Sequence, residues 1–100
     1  MFGKLAEAKK MAEEMKQKLA AIEVEGVADG GKVKVRANGN KEVTAIEIAP
    51  ELLKPENKEE VEELLQAAIN RAVSQAEGIS AAEMRSMMGT MMPGIGNLFS

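Results

Sequence analysis

The sequence predicts an α+β fold in which a helix, three antiparallel strands and a second helix follow one another as α-β-β-β-α. Two patterns indicate this order. Apolar residues recur at every second position between Gly31 and Pro50, which is typical of half-buried strands. The long segments on either side repeat their apolar residues at spacings of three and four, which is typical of amphipathic helices. We expect the strands to form a meander that the two long helices pack against.

The chain has 100 residues, a length that favours a single domain. We assign residues 1–88 to that domain and residues 89–100 to an irregular tail rich in Met and Gly. So small a domain buries a modest fraction of its surface. With two Phe, no Trp and no Tyr, its core must be assembled from many small side chains.

The first predicted helix carries a narrow apolar seam with heptad spacing. Neither Gly nor Pro occurs between Lys4 and Glu25, and helix-forming residues fill the remaining positions. The seam consists of Leu5, Ala8, Ala12, Met15, Leu19 and Ile22. A seam of this width fits one neighbouring helix, either of the same chain or of a second copy, and the two arrangements can coexist.

The lysines of this helix have two interpretations. Lys9 and Lys10 lie four residues before Glu13 and Glu14, so a salt-bridged, solvated surface is one of them. Lys4 lies in the first turn, where a cation opposes the helix dipole and therefore does not stabilise the helix. The other interpretation is a binding surface for an anion.

The first two predicted strands are joined by a glycine-rich turn. Glu23 to Val27 forms the first strand and leads into Asp29-Gly30-Gly31, which we interpret as a turn because a strand follows it. The second strand alternates small apolar residues with three cations: Val33, Val35 and Ala37 on one face, and Lys32, Lys34 and Arg36 on the other. If the helices cover only the apolar face, the cations point to solvent.

Asn38-Gly39 predicts a tight hairpin turn, because this pair tolerates the positive φ angles that such turns need. The return strand is expected to place Thr44, Ile46 and Ile48 on one face and Val43, Ala45 and Glu47 on the other. Pro50 ends the strand, since proline has no N–H for the ladder. A short sheet of this kind leaves an edge exposed, and pairing with a second copy would stabilise it.

The second long helix is predicted to begin after Asn57, which can cap it together with Glu60. The glutamates that follow favour the positive end of the helix dipole. The apolar stripe that covers the sheet comprises Val61, Leu65, Ala68, Ile69, Ala72, Ala76 and Ile79. Gly78 weakens this helix. Ser80 is expected to cap a short additional helix that carries Met84, Met87 and Met88.

Composition excludes most catalytic chemistry. The chain has no Cys and no His, which removes disulfides, thiolate sites and the commonest general base and metal ligand. We therefore expect a non-enzymatic protein without metal or cofactor. The first residues contain no apolar run of signal-peptide length and no segment reaches the length of a membrane span, which predicts a cytoplasmic protein.

The net charge of −3 conceals an uneven distribution. Basic residues are concentrated in the first forty positions, whereas residues 42–64 contain eight Glu and two Lys. This distribution permits a cationic surface on an acidic protein.

The order and spacing of several segments resemble the YbaB/EbfC family of nucleoid-associated proteins. The matching segments are AAIEVEG at 20–26, KVKVRANGN at 32–40, VTAIEIAPELL at 43–53, LLQAAINRA at 64–72 and PGIGNLF near the end. The resemblance covers nearly the whole chain, and its specificity lies in the combination rather than in any one segment.

The resemblance implies a homodimer in which the strands of two subunits join and the helices project as paired arms. It also implies binding of double-stranded DNA in a bacterial nucleoid, with weak sequence preference, near the ends of those arms. By position, the DNA-binding candidates are Lys4, Lys9, Lys10 and Arg85, with Lys32, Lys34 and Arg36 as a second candidate surface.

A protein-interaction scaffold is the alternative function. Five of the eight methionines lie within nine residues, from Met84 to Met92, and methionine surfaces adapt to irregular partners. On this hypothesis the helix seam and the Met-rich tail hold a protein partner, and DNA affinity is incidental.

Overall fold

The structure of the chain, a computed structural model, describes residues 2–91. The helices are α1 (Phe2–Ala20) and α2 (Lys58–Met91), and the strands are β1 (Glu23–Ala28), β2 (Val33–Asn38) and β3 (Val43–Ile48). Single 3₁₀ turns at Asp29–Gly31, Pro50–Leu52 and Pro55–Asn57 complete the connections. The strands form one antiparallel sheet in the order β1-β2-β3. The predicted α+β order and the meander are confirmed.

The two faces of β2 differ as the alternation predicts. Val33 and Val35 are fully buried, at 0% exposure, whereas Lys32 and Arg36 on the opposite face are exposed. On β1 the same alternation buries Val24 and Ala28. The sheet therefore has one apolar face for the core and one charged face toward solvent.

The first half of α2 covers the apolar face with small side chains. Ala68, Ala72 and Ala76 are fully buried against the sheet. Gly26 of β1 lies directly beneath them: a Cβ atom built there would lie 2.1 Å from the carbonyl oxygen of Ala68 and 2.6 Å from the backbone N of Ala72. Alanine on the helix and glycine on the strand thus allow the two backbones to approach closely.

The second half of α2 differs from the prediction. The helix continues without a break through Gly78 to Met91, so the prediction of a short additional helix after Ser80 is wrong. A glycine in a helix interior costs only about 1 kcal/mol relative to alanine, and the residues on either side of Gly78 are helix formers. The first three residues of the predicted tail are helical, and residues 92–100 lie outside the described part of the chain.

The turn after β2 also differs from the prediction. Its positive φ belongs to Lys41, at 67°, and not to Asn38-Gly39. The side-chain oxygen of Asn38 instead accepts hydrogen bonds from the N–H groups of Asn40 (2.9 Å) and Glu42 (3.1 Å) and shapes a longer turn. The difference arises because the Asn-Gly pattern reflects local backbone geometry alone, whereas this turn also packs on α1.

This turn caps the C-terminal end of α1. The N–H of Gly39 donates to the carbonyl oxygen of Leu19 at 2.8 Å, and Nδ2 of Asn40 donates to that of Lys16 at 2.9 Å. The last carbonyl groups of a helix have no partner within the helix. A Cβ at position 39 would lie 2.8 Å from the Leu19 carbonyl oxygen, so only glycine permits this approach.

The return strand follows the predicted faces only in its second half. Ile46 and Ile48 pair with Val35 and Val33 and share their face. A register shift between Arg36 and Ala37 places Val43 opposite Ala37, on that same face. The prediction that Val43 lies on the face of Glu47 is wrong, because a β-bulge changes the alternation.

Candidate nucleic-acid interface

The outer parts of α1 and α2 form an arm that projects from the sheet. The chain of α1 runs toward the sheet, where Leu19 is buried, whereas α2 runs away from it after Ile79, which still packs against the core. At 1.5 Å per residue, α1 extends roughly 24 Å and α2 roughly 18 Å beyond the sheet. This arm is defined as residues 3–18 and 80–91, and the molecule is 61 Å long.

The two helices of the arm are joined near its base. Nζ of Lys18 lies 2.7 Å from the Glu83 carboxylate, forming an ion pair between α1 and α2. Farther out, Met11 and Met15 of α1 and Met87 of α2 line a groove between the helices. Beyond Met11, the residues of α1 from Gly3 to Lys10 are exposed. The outer seam residues Leu5, Ala8 and Ala12 are thus uncovered in the single chain, and Leu5 has 66% exposure.

The predicted cations of α1 lie on the outer half of the arm. Lys4, Lys9 and Lys10 are all exposed. The ion pairs of the described residues are Lys18–Glu83, Arg36–Glu23, Arg36–Glu25 and Lys58–Glu62. The predicted pairs of Lys9 with Glu13 and of Lys10 with Glu14 do not form in the structure. Their ammonium groups are therefore available to an external anion.

Arg85 reaches the same part of the arm from the other helix. Its side chain is exposed, and its Nε donates to the carbonyl oxygen of Ala81 at 3.4 Å. Nine residues separate Arg85 from Ala76, the last fully buried residue of α2, a distance of roughly 14 Å along the helix. The fold thus brings all four predicted DNA-binding residues onto one arm.

These cations surround α1 instead of forming one stripe. With 3.6 residues per turn, Lys4 and Lys9 point in directions about 140° apart, and Lys10 is about 100° beyond Lys9. A positive potential on several sides of a rod suits a flexible, sequence-independent contact with phosphates. It does not suit a recognition helix, which presents one face to base edges.

The second candidate surface is electrostatically mixed. Arg36 lies 3.4 Å from the Glu25 carboxylate and 3.8 Å from that of Glu23. Lys34 is directly opposite Glu47 on the same face. Lys32 is exposed at the start of the strand. The strand cations point to solvent as expected, but neighbouring carboxylates offset the charge of two of them.

Sequence reasoning missed two further cations at the base of the arm. Lys16 and Lys41 are both exposed, and the hydrogen bond from Asn40 to the Lys16 carbonyl places the turn of Lys41 beside α1. The bond joins residues 24 positions apart, and no local pattern reports it. The signal in the sequence was only the general excess of lysine before position 42.

Other kinds of site find little support in the described residues. Within 2–91, no group of three carboxylates is placed to hold a metal ion. Neither helix in that range is apolar enough over sufficient length to cross a membrane. The proposed partner surface in the tail lies mostly beyond residue 91 and stays a prediction.

Comparisons with known proteins identify relatives of this chain. The model of the YbaB/EbfC DNA-binding family matches residues 1–91. A nucleoid-associated protein of Thermoanaerobacter pseudethanolicus is 43% identical over 90 residues, covering 89% of this chain and 78% of that protein. Another, from Pelotomaculum thermopropionicum, is 35% identical over 103 residues, covering 95% of this chain and 98% of that protein.

A solved structure shares the fold. The crystal structure of an uncharacterized protein from Helicobacter pylori matches with a TM-score of 0.76 and 28% identity, covering 87% of this chain and 91% of that one. The family model spans both helices of the arm and all three strands. The chain therefore belongs to the YbaB/EbfC DNA-binding family.

Proposed function

We propose that this protein is a nucleoid-associated homodimer that binds double-stranded DNA with weak sequence preference. The cations of the arm, Lys4, Lys9, Lys10 and Arg85, neutralise backbone phosphates. Membership of a DNA-binding family supports the choice of ligand. The observation that carries the mechanism is the exposure of the three lysines on a projecting helix, without a carboxylate partner among the described residues.

A homodimer would double the number of cations available to one duplex. Four cations in each subunit offer eight phosphate contacts. Each contact makes the slope of log affinity against log salt more negative by about 0.9. The two edges of the sheet differ in how far their backbone groups are accessible to a second chain. We use this difference to choose the edge at which the two subunits would pair.

The edge formed by β1 is closed by side chains of α2. Nη1 of Arg71 donates to the carbonyl oxygen of Val27 at 2.6 Å, and Nε2 of Gln75 donates to that of Glu25 at 2.8 Å. Both carbonyl groups point away from β2. These side chains occupy the positions that the N–H groups of an added strand would need.

The edge formed by β3 is open. The N–H of Ala49 donates to the carbonyl oxygen of Lys32 at 2.7 Å, so this pair is hydrogen-bonded across the two strands. Alternation along an antiparallel ladder then directs the backbone groups of Ile46 and Ile48 away from β2. Ile46 also exposes 49% of its surface on the apolar face. An open ladder beside exposed apolar side chains supports pairing of β3 with its copy.

Replacing Ile46 by lysine is expected to dissociate the dimer. A charged side chain on the apolar face of an edge strand opposes pairing. We expect the dissociation constant of the dimer to rise at least about thirtyfold, which corresponds to ~2 kcal/mol for a central interface residue. Sedimentation equilibrium of Ile46→Lys against the wild type measures this change.

Val27→Lys is the matched control, since it adds the same charge to an exposed apolar position on the β1 edge. The control is expected to stay dimeric because Arg71 closes that edge. If Val27→Lys dissociates and Ile46→Lys stays dimeric, the dimer uses the β1 edge instead.

The proposed function is tested directly by binding to a random-sequence DNA duplex over a salt series. We expect log affinity to fall linearly with log salt, with a slope between about −4.5 and −7 if five to eight phosphates are neutralised. A second duplex of different base composition should bind within a few-fold. A flat salt dependence, or absence of binding at low salt, would refute the electrostatic mechanism.

A further inference from the structure

Three methionine side chains line the groove between the outer parts of α1 and α2, which has a volume of about 280 Å³. The rest of its lining is polar or charged and consists of Glu14, Lys18, Glu83 and Ser86, so the methionines Met11, Met15 and Met87 are its apolar side chains. All three are partly buried. Met84 and Met88, by contrast, are 56% and 58% exposed. The five methionines whose burial the structure describes thus divide into a groove set (Met11, Met15, Met87) and a surface set (Met84, Met88).

The groove set includes the outermost residues of α1 that face α2 in the described part of the chain. The capping bonds to Lys16 and Leu19 and the ion pair of Lys18 all lie in the last five residues of the helix. Toward the N-terminus, residues 3–10 are exposed. Met15 and Met11 are therefore the outermost side chains of α1 that are partly buried in the range that the structure describes.

We propose that the groove set is a modification site for oxidants of the peroxide class, and that its oxidation releases the outer part of α1 from α2. In the reaction, a lone pair on the thioether sulfur attacks one oxygen of hydrogen peroxide. An S–O bond forms, the O–O bond breaks, and the departing hydroxide takes the proton of the transferred oxygen to give water. The sulfur is oxidised to the sulfoxide and the peroxide is reduced, with two electrons transferred.

The position of these sulfur atoms explains the expected effect. Partial exposure gives the oxidant access, and partial burial keeps each methionine side chain in contact with the groove. A sulfoxide is polar, and the loss of part of its hydration in this partly apolar groove is a cost that the thioether does not bear. The surface set points into solvent, where a sulfoxide remains hydrated. Oxidation there is expected to leave the arm unchanged.

The test measures amide hydrogen exchange of α1 before and after treatment with hydrogen peroxide, with sulfoxides located by mass spectrometry. This measurement involves no DNA, so its outcome is independent of the proposed function. We expect exchange of residues 6–15 to accelerate roughly tenfold once the groove set is oxidised, a factor equivalent to ~1.4 kcal/mol. Treatment with methionine sulfoxide reductases should restore the original rate.

Two variants separate the sets. Met11→Leu with Met15→Leu and Met87→Leu conserves side-chain volume and removes the reactive sulfur atoms, so its α1 exchange should not respond to peroxide. Met84→Leu with Met88→Leu should respond as the wild type does. The proposal is overturned if the groove variant responds equally, if sulfoxides at the groove set leave α1 exchange unchanged, or if reduction of those sulfoxides fails to restore it.

Discussion

Replacing Gly26 by alanine is expected to destabilise the folded protein severely. The added Cβ would lie 2.1 Å from the Ala68 carbonyl oxygen and 2.6 Å from the Ala72 N, and both atoms belong to the helix backbone. No rotamer change can relieve a clash between two backbones. The strand and α2 must therefore separate, which opens the contact that buries Val33 and Val35.

We expect a loss of at least ~3 kcal/mol in the free energy of unfolding, at the upper end of the cost of overpacking. For a domain of this size that corresponds to a fall in Tm of about 12 °C or more. Thermal and urea denaturation at one fixed protein concentration measure it, since the stability of a dimer depends on concentration.

Gly78→Ala is the matched control for this experiment. A Cβ at position 78 meets nothing within 4 Å, and the residue lies inside α2. Alanine there should raise stability by about 0.5–1 kcal/mol through helix propensity. Equal destabilisation by both substitutions would mean that the close approach at Gly26 is not the cause.

The parts of the fold that follow from local periodicity were predictable. Alternation alone located the buried face of β2 at Val33 and Val35, and the stripe of α2 indicated Ala68, Ala72 and Ala76 as its inner side. These patterns depend on residues close in sequence whose side chains share one environment. The faces of β2, the three strands and the element order were therefore predicted correctly.

Contacts between distant segments were not predictable from one sequence. The Asn38-Gly39 pair indicated a tight turn, yet Gly39 is required where it meets Leu19, twenty residues earlier in the chain. Lys18 lies four residues after Glu14 in α1, yet in the structure it pairs with Glu83 of α2. A side chain can pair with any partner within reach, and sequence spacing reports only those on its own helix.

The same limit applies to the candidate site. The family resemblance indicated Lys4, Lys9, Lys10 and Arg85 by position, but no local pattern in the sequence shows that the lysines of α1 and the arginine of α2 belong to one arm. Nor could the sequence decide between salt-bridged and available lysines. The structure favours availability of Lys9 and Lys10, since their nearest acidic neighbours along the helix do not pair with them.

Reversing the charge of Lys9 and Lys10 together is expected to abolish most DNA binding. Each phosphate contact is worth roughly a factor of eight in affinity at 0.1 M salt for a slope of −0.9. Loss of two contacts in one subunit should therefore weaken binding at least about fiftyfold, and more if both arms engage the duplex. Adding Lys4→Glu should weaken it further and reduce the salt slope again.

The control for net charge is Lys54→Glu with Lys58→Glu, which changes the same number of charges at the start of α2 and in the loop before it. Both lysines are exposed, and Lys58 pairs with Glu62 at 3.5 Å. If DNA responds to overall charge, the two double variants should lose affinity equally. If the arm is the binding surface, only Lys9→Glu with Lys10→Glu should lose it, with an unchanged circular dichroism spectrum. A Lys32→Glu, Lys34→Glu variant tests the second candidate surface. If this variant loses DNA affinity while Lys9→Glu with Lys10→Glu retains it, the binding site lies on the outer face of the sheet instead.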